Sequence, residues 1–191
     1  MTRLPVLLAM WFSRLLLVLS CVALMAMALH VTADVVMRTF FNRPIPGTLE
    51  IGTHYYMVAV SFLALGWVQV KDGHVAVGFV VHSLKARPRM VLEFFALLLT
   101  FVFSLYYLQM SWVSAAQKTS KGDYVLSQDR VLLIWPSRWI LVVSIAAFAL
   151  VLLVQMVRMG RALWQGHVRT VADLMADETG EAAPGAQEGN V

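Results

Sequence analysis

Four apolar runs dominate the chain, roughly Leu15–Met37, Ile51–Val70, Met90–Ala116 and Val131–Val157, with short polar stretches between them. Each reaches the ~20 residues that cross a hydrocarbon core. Lipid offers no partner to backbone N–H and C=O groups, so each run is expected to be helical. The surplus length of the third and fourth predicts tilt or ends that project into the interface. The connections have their own patterns. In the stretch RTFFNRPIPGTLEIGTHYY, residues 38–56, Pro44, Pro46 and Gly47 stop a helix and favour a turn. Thr48 is the expected cap of the second helix, and Glu50 falls in its first turn, where a negative charge suits the dipole. Between the second and third runs, Val75, Val77, Phe79, Val80, Val81 and Leu84 are too few to span. With Lys85, Arg87 and Arg89 behind them, they predict a short helix over about 75–85, lying in the cytoplasmic interface. Pro88 then breaks the chain. Residues 117–130 read as a polar external loop, and Trp135-Pro136 marks the return, with Trp135 and Trp139 as interfacial anchors. The pattern predicts an all-α membrane protein: a four-helix domain over 1–169, then an acidic, disordered tail over 170–191.

Composition supports the bilayer as solvent. Of 191 residues, 60% are hydrophobic and 14% charged, against about 45–50% and about 25% in soluble domains. The one cysteine, Cys21, excludes an internal disulfide and lies within an apolar run. The early apolar stretch and the Ala26-Met27-Ala28 triplet resemble a cleaved secretory signal. Arg14 interrupts that stretch, however, and apolar residues continue to Met37, so a retained anchor is expected. With the N-terminus in the cytoplasm, nine Lys and Arg fall inside and six outside. That bias places both termini in the cytoplasm and the 38–56 stretch outside. The tail carries Asp173, Asp177, Glu178, Glu181 and Glu188, with no basic residue after Arg169.

Ionisable residues within the apolar runs are candidates for function. His30, Asp34 and Arg38 are spaced by four and form one stripe at the outer end of the first helix. An ion relay would use such a stripe; a polar clasp that fixes packing is the plainer reading. Glu93 follows the basic Arg87-Pro88-Arg89 turn and is expected to pair locally. His30 and His54, near the outer ends of adjacent helices, raise a rival: a haem-bearing membrane anchor of a redox enzyme. Gly-rich phosphate loops, HExxH and CxxC are absent from the sequence, and the basic loops lack the density that nucleic-acid binding requires. No catalytic residue, cofactor or metal site is therefore expected. Small residues suit helix association: Gly52, Ala59 and Gly66 recur every seven positions, and Ala96, Thr100 and Ser104 every four. Aromatics lie beside the second set, at Phe94, Phe95, Phe101, Phe103, Tyr106 and Tyr107.

Repeated halves and broken helices around a midplane site mark secondary transporters, and the sequence shows neither clearly. The order of features instead resembles the small membrane subunit of tripartite ATP-independent periplasmic (TRAP) transporters, the DctQ-like family. The matching residues are Arg38 with Phe40-Phe41, then Pro44-Ile45-Pro46-Gly47-Thr48 and Glu50, then Val68 to Val77, and Trp135-Pro136. The likeness spans roughly Val18 to Arg161. It departs from the family at Gly78, where an acid often follows the His-hydrophobic segment. The resemblance implies a non-catalytic scaffold, or stator, in the bacterial inner membrane. Its partners would be a large multi-pass transport subunit, a periplasmic solute-binding protein and membrane lipids. The system would import carboxylate-type solutes coupled to sodium. Arg38, Arg43, Glu50, Lys118, Lys121 and Arg130 then become candidates for docking or bracing.

Overall fold

The computed structural model describes residues 3–71, 86–127 and 130–164. Four long helices form the bundle: α1 (Arg3–Phe41), α2 (Thr48–Val70), α3 (Ala86–Lys121) and α4 (Trp135–Trp164). All four contain a stretch long and apolar enough to cross a membrane. The expected interfacial helix at 75–85 and the tail at 170–191 lie outside the described residues.

The helices run past their expected ends. Arg14 marked the edge of an apolar run, but Arg is a good helix former and propagation costs little once a helix is nucleated, so α1 passes through it. The helix stops where Asn42 takes the left-handed conformation, φ 52°, and the Arg43 N–H returns to the Met37 carbonyl. Gly47, φ 86°, precedes α2. Thr48 does not cap that helix: its hydroxyl donates to the Ile45 carbonyl at 3.0 Å, inside the turn. α2 is irregular. Its second turn, Gly52–Tyr56, is π-helical, and it is reset again at Ala64 before Leu65–Val70.

A second difference lies between α3 and α4. Helix α3 continues through residues expected to be loop and ends at Lys121. Gly122, φ 60°, closes it with paired returns, Gly122 N–H to Thr119 O and Asp123 N–H to Lys118 O, both 3.1 Å. Strands β1 (Tyr124–Ser127) and β2 (Arg130–Leu133) then form an antiparallel hairpin. The apolar pattern places Val131–Leu133 in the fourth helix, but they form β2. Their side chains instead alternate between two faces of a ribbon, and Pro136 sits where a helix tolerates it, in the first turn of α4.

The core is built around α4, the most buried of the four helices. Leu16, Ala59, Leu63 and Ala147 join α1, α2 and α4, and Val70 packs on Val151 beside Met10 and Trp67. Leu97 packs on Leu152 and Met159 between α3 and α4, flanked by Phe94, Phe101 and Phe148. Polar ties cross the same contacts. The Ser20 hydroxyl donates to the Val60 carbonyl at 3.1 Å. The Gln69 amide donates to Gln155 Oε1 at 2.7 Å, and the Gln155 amide returns to the Gln69 carbonyl at 2.9 Å.

Candidate partner interface at the hairpin end

The α1–α2 turn and the β-hairpin share one end of the bundle. Tyr55, on the π turn, joins them by donating its hydroxyl to the Leu133 carbonyl at 2.6 Å. An extra residue per turn in a helix rotates the side chains that follow it. Here neighbouring tyrosines part: Tyr55 reaches β2, while Tyr56 Oη lies 3.4 Å from His30 Nδ1 on α1, with the rings edge to face.

Asp34 pins the turn. It is 5% exposed, and its carboxylate accepts from the Ile45 backbone N–H at 2.7 Å and from Arg38 at 3.0 Å. The Arg38 side chain is 67% exposed, so water and salt screen the ion pair. The buried bond to Ile45 is the stronger constraint. It ties α1 to a segment eleven residues on, just before Pro46 and Gly47. Of the expected His30–Asp34–Arg38 clasp, the structure pairs Asp34 with Arg38 and gives His30 to Tyr56 instead. An Asx-like pin to a backbone N–H leaves no spacing signal in sequence, so Ile45 was missed.

The remaining candidates spread around this end. Arg43 and Lys121 are exposed, and Glu50 is half-buried in the first turn of α2. Lys118 pairs with Asp123 at 2.9 Å. Arg130 opens β2. Trp139 donates to Thr119 Oγ1 at 3.0 Å and packs edge to face on Trp112, with centroids 5.1 Å apart.

The hairpin presents a surface that sequence reasoning did not foresee. Its register sets Tyr124 opposite Leu133 and Leu126 opposite Val131, and all four side chains are exposed. Ser127, on the other face, is buried. The alternation Tyr-Val-Leu-Ser was the available signal, but it is only four residues long.

The helix-packing candidates divide. Gly52, Ala59 and Gly66 are all buried, but a Cβ added at Gly52 would meet nothing within 4 Å, so only Ala59 and Gly66 pack against a neighbouring helix. An added Cβ on Gly66 would come within 3.1 Å of Ser13 Oγ, so α1 approaches α2 closely there. On α3, Ser104 is buried, but Ala96 and Thr100 face outward. The seam of α3 against α4 runs instead through Phe94, Leu97, Phe101, Ser104, Ser111 and Ala115. The steps are three, four, three, seven and four, a heptad-like spacing that keeps one stripe facing a neighbour. Phe95, Phe103 and Tyr106 are exposed, and Tyr107 stacks on Phe103.

These features define a small multi-pass helical membrane protein, with a pinned turn and an uncovered apolar ribbon at one end. Residues 27–162 match the DctQ component of tripartite ATP-independent periplasmic transporters, and the chain belongs to that family. The family is a transporter component that works with a large membrane subunit and a periplasmic binding protein. No curated protein and no solved structure matches the chain.

Proposed function

We propose that this chain is the fixed scaffold of a sodium-coupled importer of carboxylate-type solutes. It braces the large transport subunit in the bacterial inner membrane, with both termini in the cytoplasm, and the hairpin end helps to dock the solute-binding protein. The observation that carries this reading is the outward face of α3. Ala96 and Thr100, exposed beside Phe95 and Phe103, form a shallow stripe flanked by aromatics on a helix whose opposite seam is already filled by α4. Small residues on a lipid-facing helix let another helix approach closely, and that stripe serves the large subunit. Arg38, Arg43, Glu50, Lys118, Lys121 and Arg130 sit at the other partner's side, where surface charge steers an encounter and weakens with salt.

The test is reconstitution in liposomes. Solute should accumulate only when this chain, the large subunit and the binding protein are present with an inward sodium gradient. Accumulation with this chain alone would end the scaffold reading. A reporter fused at Gln128 should read as periplasmic; a cytoplasmic reading would reverse the orientation.

A further inference from the structure

Arg14 stands apart from every interaction described above. It is exposed on α1, and no acid among the described residues lies within ion-pair distance of it. Its depth follows from its neighbours. Met10 packs at the level of Val70, the last residue of α2, and Ser13 lies against Gly66. Arg14 therefore begins about 6 Å further into the bundle than the end of α2. Around it the exposed face of α1 is apolar: Leu7, Trp11, Leu15 and Val18. An arginine keeps its charge in any protein setting, so its guanidinium must reach water or an anion at the interface.

The backbone sets the direction in which it reaches. Cα–Cβ bonds in a helix lean towards its N-terminus, so the Arg14 side chain leans towards the nearer membrane boundary. Long basic side chains in this position lay their stem on apolar surface and carry the charge to the interface. Trp11 lies one turn in that direction, on the same face, and is 73% exposed. Indole rings favour the headgroup level. A guanidinium fork beside an indole at that depth matches a phosphate, which it can hold through two parallel hydrogen bonds. Arg14 and Trp11 also precede residues 27–162, the portion matched by the family.

We infer that Trp11 and Arg14 form a binding site for the phosphate of a phospholipid in the leaflet at the N-terminal end of α1. The lipid would secure that end of the bundle, where no described residue covers this face of α1. The inference stands independently of the solute or the transport partner.

Native mass spectrometry of the full chain in mild detergent tests it, with phosphatidylglycerol and a diacylglycerol of the same acyl chains as probes. Phosphatidylglycerol adducts should fall about tenfold in R14Q, the loss expected for one charge-assisted contact. R14K should retain most of them, and W11L should be intermediate. Diacylglycerol adducts should be equal in all variants, and the melting temperature of R14Q should match the unsubstituted chain. R161Q, an exposed basic residue on the last turn of α4, should leave the adducts unchanged. The inference is overturned if R14Q keeps its phosphatidylglycerol, or if R161Q loses as much as R14Q. Complete displacement by inorganic phosphate would overturn it as well, by making free phosphate the ligand. So would an R14Q chain that keeps lipid but no longer co-purifies with the large subunit, because the counter-ion would then be a protein carboxylate.

Discussion

Asp34 shows how one buried carboxylate can outweigh several exposed charges. Its bond to Arg38 is half in water and contributes at most about 1 kcal/mol, whereas the buried acceptor for the Ile45 N–H contributes about 2 kcal/mol. Asp34→Asn keeps an oxygen for Ile45 and should cost little. Asp34→Leu orphans that N–H and should cost more than Arg38→Ala. Thermal unfolding in detergent ranks the three, and a larger loss for Arg38→Ala would contradict the assignment. Gly66 and Gly52 offer a second contrast at this scale. A side chain at Gly66 meets Ser13, while one at Gly52 meets nothing within 4 Å. Gly66→Leu should destabilise by about 1–3 kcal/mol through overpacking. Gly52→Ala should be neutral or slightly stabilising, because Ala is the better helix former by about 1 kcal/mol. Equal melting temperatures for the two variants would refute the close approach of α1 and α2.

Among the elements, α2 and α4 are joined by the reciprocal amides of Gln69 and Gln155, both buried. Interhelical hydrogen bonds in membranes contribute about 1 kcal/mol each, and an amide left without a partner costs more than the bond was worth. Gln155→Leu alone should therefore lower stability more than the double variant Gln69→Leu/Gln155→Leu. A double-mutant cycle by chemical denaturation measures the coupling, and strict additivity would show that the two amides act separately. The β-hairpin is the other element of note. Two strands are marginal on their own. This pair is held by Tyr55 at Leu133 and, at its base, by the Ile134 N–H donating to the Asp123 carbonyl at 3.0 Å. Those tethers let it present four apolar side chains outward without collapsing.

At the scale of the whole molecule, length is the telling quantity. Helix α1 has 39 residues, about 58 Å, against a hydrocarbon core of about 30 Å. It must project beyond the bilayer, and α3, with 36 residues, must do so too. Projecting helices and an apolar ribbon suit a chain that grips other proteins at more than one depth. Thr100→Trp, on the outward face of α3, should leave the isolated chain folded and reduce recovery of the large subunit several-fold. Leu126→Asp with Val131→Asp should leave that recovery intact and impair uptake with the binding protein. Co-purification and uptake in proteoliposomes measure the two effects; the opposite pairing would exchange the assignments of the two faces.

Hydropathy alone was enough to set the number of crossings and their helical character, because lipid punishes any unpaired backbone group and leaves the chain few options; the family resemblance rested instead on the ordered residues from Arg38 to Trp135-Pro136. The turn at Pro44–Gly47 was legible for the same kind of reason, since Pro and Gly act locally. Only the tertiary structure decided which small residues meet a neighbour. Gly66 and Ala96 look alike in sequence, yet Gly66 is buried against α1 and Ala96 faces outward. It alone joined Asp34 to Ile45, Tyr55 to Leu133 and Gln69 to Gln155, and turned Val131–Leu133 from helix into strand. Those outcomes depend on what lies opposite each residue across a helix–helix gap or a hairpin. Apolar content along a single chain carries no information about that.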